Sequence, residues 1–198
     1  MIYMPHGSIE ILKQNIRVLG IDDGPFTREK DRKTCLTGVL MRIDGVIENV
    51  LVAEISVDGT DSTSAVLGFV RRIGNQNINA IMSEGVTFAG FNIVDPAEIT
   101  EVTGIPFLSI TKGEGDLPSM MSALEKHGNR ELISKLAVLN PYREKFGETE
   151  FTLNISGIGR NDAKTLLLRL MRVGNVPEPI RVAHIISKAI MESAKMIP

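Results

Sequence analysis

The dipeptide Asp44-Gly45 sits between two long apolar runs, 34–43 (TCLTGVLMRI) and 46–57 (VIENVLVAEISV), and no other feature of the sequence restricts the fold as strongly. Asp-Gly flanked by β-branched and apolar residues predicts a two-residue type I′ hairpin. The two runs therefore become antiparallel neighbours. Arg42, Glu48, Asn49 and Glu54 among their apolar positions predict one partly exposed face.

Ahead of the hairpin, 15–21 (NIRVLGI) is a short β-rich run stopped by Asp22-Asp23-Gly24-Pro25. Behind it the period changes. Asp61 stands where an N-cap is expected, and Ala65, Val66, Phe69, Val70 and Ile73 recur at helical spacing. A short buried strand at 78–82 (INAIM) follows, then a helix over about 95–103 with Pro96 in its first turn, then a strand at 106–111 (PFLSIT). Further helices are expected over about 118–139, a short strand at 151–155, and two last helices joined by 174–179.

The order β-β-β-α-β-α-β decides the topology. A meander turns the second strand against the first and third, and right-handed helical crossovers return the fourth and fifth strands parallel to the first. This is an α/β fold with the ribonuclease H-like mixed five-stranded sheet and with flanking and C-terminal helices. At 198 residues and 43% hydrophobic content, one domain over 1–198 is expected.

That path brings acids together. Asp22, Asp23, Asp58, Asp61, Glu84 and Lys112 all fall at the same end of the sheet, where α/β folds place ligands. Clustered carboxylates repel one another, so a cation is the usual reason for them, and oxygen ligands favour Mg²⁺ or Mn²⁺. Such an ion activates water and stabilises charge on a phosphate, with Lys112 as a further positive charge. Each acid also has a local explanation: Asp22 and Asp23 precede a Gly-Pro turn, Asp58 lies in Val-Asp-Gly, and Asp61 is explained as an N-cap. Glu84 has the least local excuse.

Composition narrows the partners. A net charge of −2 lacks the basic excess of a dedicated nucleic-acid binder, although a nuclease is compatible with it. The single cysteine, Cys35, rules out an intramolecular disulfide and reads as a small strand residue. No apolar stretch approaches the ~20 residues of a membrane span, and the N-terminus lacks a signal-like pattern, so a cytoplasmic protein is expected. His6 and His127 read as surface residues. His184, one helical turn after Arg181, is within reach of a site but reads as an ordinary packed or surface helical histidine.

The segments RVLGIDDGPF (17–26), VDGTDST (57–63), EGVTFAGFNIVD (84–95) and GIPFLSITK (104–112) together resemble an archaeal family of unknown function related to endonuclease V. The stretch 153–186, with Pro177, Glu178, Pro179, Arg181 and Ala183, is also similar to the end of endonuclease V. The resemblance implies a ribonuclease H-like fold and Mg²⁺-dependent cutting of nucleic acid next to deaminated purines. It also implies an acid site at Asp22, Glu84 and either Asp61 or Asp58, with Lys112 as the strand-five lysine. The chain departs from that pattern in four places. Position 84 is glutamate rather than aspartate, the aromatic-proline wedge is absent from 55–62, Ser156-Gly157-Ile158-Gly159-Arg160 lacks the expected histidine, and the loop 86–92 differs. Inosine specificity is therefore not carried over. The resulting expectation is an endonuclease V-like hydrolase acting on DNA or RNA with Mg²⁺ or Mn²⁺, Asp23 orienting a metal-bound water. The alternative is a catalytically inactive nucleic-acid or protein-binding module on the same fold.

Overall fold

The computed structural model describes residues 15–113, 121, 122, 125, 130–137 and 139–194. A meander of β1 (Arg17–Asp23), β2 (Lys33–Arg42) and β3 (Ile47–Ser56) leads into α1 (Ser62–Ile73). β4 (Ala80–Glu84) follows, then a small ribbon of β5 (Thr87–Phe88) and β6 (Asn92–Ile93), α2 (Pro96–Thr103) and β7 (Phe107–Lys112). The remainder is α3 (Arg130–Ala137), a hairpin of β8 (Tyr142–Phe146) and β9 (Thr149–Ser156), α4 (Arg160–Leu170) and α5 (Glu178–Ala194). His6, His127 and most of the expected helix before Arg130 lie outside the described residues.

The main sheet runs β3-β2-β1-β4-β7-β9-β8. Its first five members have the order and directions that the sequence predicts: β1 pairs antiparallel with β2 and parallel with β4, and β4 pairs parallel with β7. Among the described residues the sheet has seven strands rather than five. β9 pairs antiparallel with β7 and extends to a hairpin partner, β8. β8 escapes a hydrophobicity reading because it is an edge strand of sequence YREKF, in which only Phe146 is fully buried.

The turn at Asp44-Gly45 also differs from the expected type. Arg42 N–H donates to Val46 O and Gly45 N–H to Arg42 O, so 43–45 form a three-residue loop in which Gly45 takes φ 97°. Asp44 keeps a negative φ, which excludes type I′. Ile43 is the reason: it is buried, and its N–H donates to Ile16 O, which draws it out of the β2–β3 ladder into the core.

Alternation along the strands sends side chains to two cores. Leu19, Ile21, Ile81 and Phe107 pack under α1, α2 and α3 with Val66, Phe69, Val70 and Ile99. On the other face Val18, Ala80, Met82, Leu108 and Ile110 pack under α4 and α5 with Leu166, Leu167, Leu170 and Ile180. Each such side chain, fully buried, contributes about 1.5–3 kcal/mol. β1 is covered on both faces, and its C-terminal end carries Asp22 and Asp23.

Candidate active site

The parallel registers define the edge. Ile21 pairs with Ser83 and Glu84 with Ile110, so one residue further along β1 brings Asp22 beside Glu84. Both lie at the C-terminal ends of their strands. Because side chains alternate, Val18, Gly20 and Asp22 share the face covered by α5, whereas Leu19, Ile21 and Asp23 share the opposite one.

Gly20 sets the approach of α5. A Cβ at that position would lie 2.3 Å from the Pro179 carbonyl carbon, so only glycine lets the first turn of the helix rest on β1. From there α5 runs along the strand end. Ser187 Oγ donates to the Asp23 carbonyl at 2.9 Å, and His184 Nδ1 lies 2.7 Å from Asp22 Oδ2. His184 and Lys188, one turn apart, meet Asp22, Asp23, Phe26 and Glu84 around a cleft of about 440 Å³.

Burial pushes the Asp22 carboxyl up from the usual aspartate range to about 6, and the adjacent Asp23 charge adds to this while His184 opposes it. Asp23 is also raised, by burial, against a 2.7 Å hydrogen bond that its Oδ2 accepts from Ala89 N–H. Ala89 and Asp58 both hold positive φ, and Asp58 N–H donates to Ala89 O. Two non-glycine residues in that region store strain of order 1–3 kcal/mol each, here beside the acidic edge.

The other predicted acids are occupied away from the cleft. Asp58 accepts from Arg28 Nη2 at 2.9 Å and from Phe91 N–H at 2.9 Å, which ties the 24–32 loop to the 85–94 loop. Asp61 occupies the N-cap position of α1 but makes no capping bond with its side chain. Its carboxylate turns back to accept from Ser56 N–H and Oγ and from Asn92 Nδ2. Burial opposes ionisation of Asp61, yet these hydrogen bonds outweigh it and hold the carboxyl below its ordinary value. The α1 N-terminus is served instead by Asn92, whose Oδ1 accepts from Ser62 N–H. Lys112 is exposed at the same end of β7, two residues beyond the partner of Glu84. Among the described residues no three His, Cys, Asp or Glu side chains stand close enough to enclose a metal ion by themselves.

Phe26 and Lys188 are cleft residues with no counterpart among the site residues expected from the sequence, and His184, expected as an ordinary helical histidine within reach of a site, lies in the cleft itself. The available signal was the i, i+4 spacing of His184 and Lys188 on one helix face after Pro177-Glu178-Pro179, but nothing local says which face meets the sheet.

The ribonuclease H-like sheet, with carboxylates ending β1 and β4 and a histidine from the last helix meeting the first of them, is the fold that solved endonuclease V structures share. The chain belongs to the endonuclease dU family, whose profile matches residues 14–191. A UPF0215 protein of Thermoplasma volcanium is 35% identical over 185 residues, covering 93% of this chain and 94% of that one. A crystal structure of a protein of unknown function from Archaeoglobus fulgidus superposes with TM-score 0.78 at 31% identity, covering 88% and 98% of the two chains. Ciona intestinalis endonuclease V in complex with an inosine-containing DNA shares the fold at TM-score 0.64 and 10% identity, over 92% and 89%. No helix among the described residues is long and apolar enough to cross a membrane.

Proposed function

We propose that the chain is a divalent-metal-dependent endonuclease that cuts phosphodiester bonds of DNA or RNA. The observation that carries this reading is the convergence of Asp22, Glu84 and His184, from two adjacent strand ends and a helix, on one cleft. Asp22 and Glu84 offer hard oxygen donors suited to Mg²⁺ or Mn²⁺. Two carboxylates leave room for water and substrate phosphate in the remaining positions, as Mg²⁺ commonly requires. When bound, such an ion lowers the pKa of a water and stabilises charge developing on the phosphate.

The protein's own groups have separable tasks. With Nδ1 tied to Asp22, His184 exchanges a proton with the substrate through Nε2. Asp23 holds the Ala89 turn in place, and Lys112 adds positive charge along the sheet edge. Asp58 and Asp61 brace the loops that border the site. The family description names deoxyuridine and one structural neighbour was captured with inosine-containing DNA, so deaminated bases are the first substrates to test.

The test is a panel of single-stranded, duplex and structured DNA and RNA, with and without deoxyuridine or inosine, incubated with Mg²⁺, Mn²⁺ or EDTA. The reading predicts cleavage that needs the metal and is lost in Asp22→Asn. No cleavage across the panel, together with nucleic-acid binding that Asp22→Asn leaves intact, would instead establish a binding module.

A further inference from the structure

We propose that Phe26 and Lys188 form a grip for an unpaired nucleotide, so that the substrate is nucleic acid with an unstacked base at the site rather than intact duplex. The proposal rests on the nuclease reading and names its substrate class. The two residues stand on different walls of the cleft that contains Asp22 and Glu84: Phe26 on the segment after β1, Lys188 on α5. Phe26 is a half-buried aromatic ring that lines the cleft beside Pro25 and opposite in kind to the charged Asp22, Asp23, Glu84 and Lys188. The cleft volume of about 440 Å³ lies within the range of small-ligand sites.

The walls are fixed relative to each other. Thr34 Oγ1 donates to Gly24 O at 2.9 Å, and Ser187 Oγ, next to Lys188, donates to Asp23 O. A Cβ on Gly24 would meet Met191 Cγ at 2.4 Å, so the Phe26 segment rests directly on α5. Such second-layer support is what a preformed binding site requires.

The chemistry of each wall fits one part of a nucleotide. An aromatic face binds any base by stacking, and only a base that has left its own stack can offer its face. Lys188 follows His184 by four residues, about 6 Å along the same helix, and lines the same cleft. Its ion pair with Glu192 is long, at 3.8 Å, and exposed. A pair of that kind contributes little and yields readily to a phosphate.

The experiment measures binding of a labelled oligo(dT) strand, and of the same strand paired with oligo(dA), by fluorescence anisotropy in EDTA across a salt series. Wild type should prefer the single strand. Phe26→Ala and Phe26→Leu should weaken single-strand binding by about 5- to 150-fold, the range for one stacked base, while Phe26→Tyr retains it. Lys188→Gln should reduce the slope of log K against log salt by about 0.7, and Lys188→Arg should not. Equal or tighter binding of the duplex, or Phe26→Leu and Lys188→Gln behaving as wild type, would overturn the grip while leaving a cleaving enzyme intact. Absence of both binding and cleavage in wild type would overturn the nuclease reading itself.

Discussion

His184 and Asp22 stand 162 positions apart in the chain, yet His184 Nδ1 lies 2.7 Å from Asp22 Oδ2. The aspartate side chain is 10% exposed and the histidine 60%, so the pair joins a buried strand end to the solvent side of the cleft. A buried acid held by a solvent-exposed imidazole is the arrangement from which the expected behaviour of the site follows.

Asp22 should cost the fold stability at neutral pH. Its native pKa of about 6 lies above the ordinary value of 3.8, so the stability contributed by the protonated form is present below about pH 4 and is lost as pH rises through 6. Asp22→Asn should therefore be more stable than wild type at pH 7, by on the order of 2–3 kcal/mol, with the difference vanishing near pH 3. Urea unfolding of both proteins across that range checks the sign.

Gly20 should be intolerant of any side chain. Gly20→Val drives its new atoms into Pro179, and overpacking of this kind costs about 1–3 kcal/mol. Because α5 carries His184 and Lys188, nuclease turnover should fall further than stability does. Gly68→Ala is the matched control: its Cβ meets only Arg71 Nη2 at 3.8 Å, and removing a helical glycine should stabilise by about 0.5–1 kcal/mol.

Asp61 and Asp22 should separate cleanly in their effects. Asp61→Ala removes the acceptor for Ser56 and the buried Asn92, a loss of about 1–3 kcal/mol, while Mn²⁺ affinity stays near that of wild type. Asp22→Asn should abolish Mn²⁺ binding with the fold intact. Calorimetric titration beside thermal unfolding distinguishes the two patterns.

His184→Ala should lower kcat by about 10²- to 10⁴-fold, the usual range for loss of a general acid or base, with Mn²⁺ still bound. A pre-steady-state burst with unchanged chemistry in that variant would remove His184 from the reaction.

The sheet order and its acidic edge were legible because they depend on local signals. Asp-Asp-Gly-Pro stops β1, Glu84 closes a buried run, and the 3.6 period of α1 together with Pro96 at the start of α2 marks the crossovers that make β1, β4 and β7 parallel. Turn details were less so, since Ile43 is held by Ile16 rather than by its own neighbours. Asp61 shows the same limit from the other side. Its position at the head of α1 is local, but the direction of its carboxylate is set by Ser56 and by Asn92 from β6. The meeting of α5 with β1 was illegible because it rests on the fit of Pro179 over Gly20, a contact between the two ends of the chain.

Anomalous diffraction from crystals soaked in Mn²⁺ tests the proposed metal site. A single strong peak is expected within coordination distance of Asp22 and Glu84, lost in Asp22→Asn. No peak there under conditions in which the protein cleaves nucleic acid, or a peak at Asp58 or Asp61 instead, would contradict it.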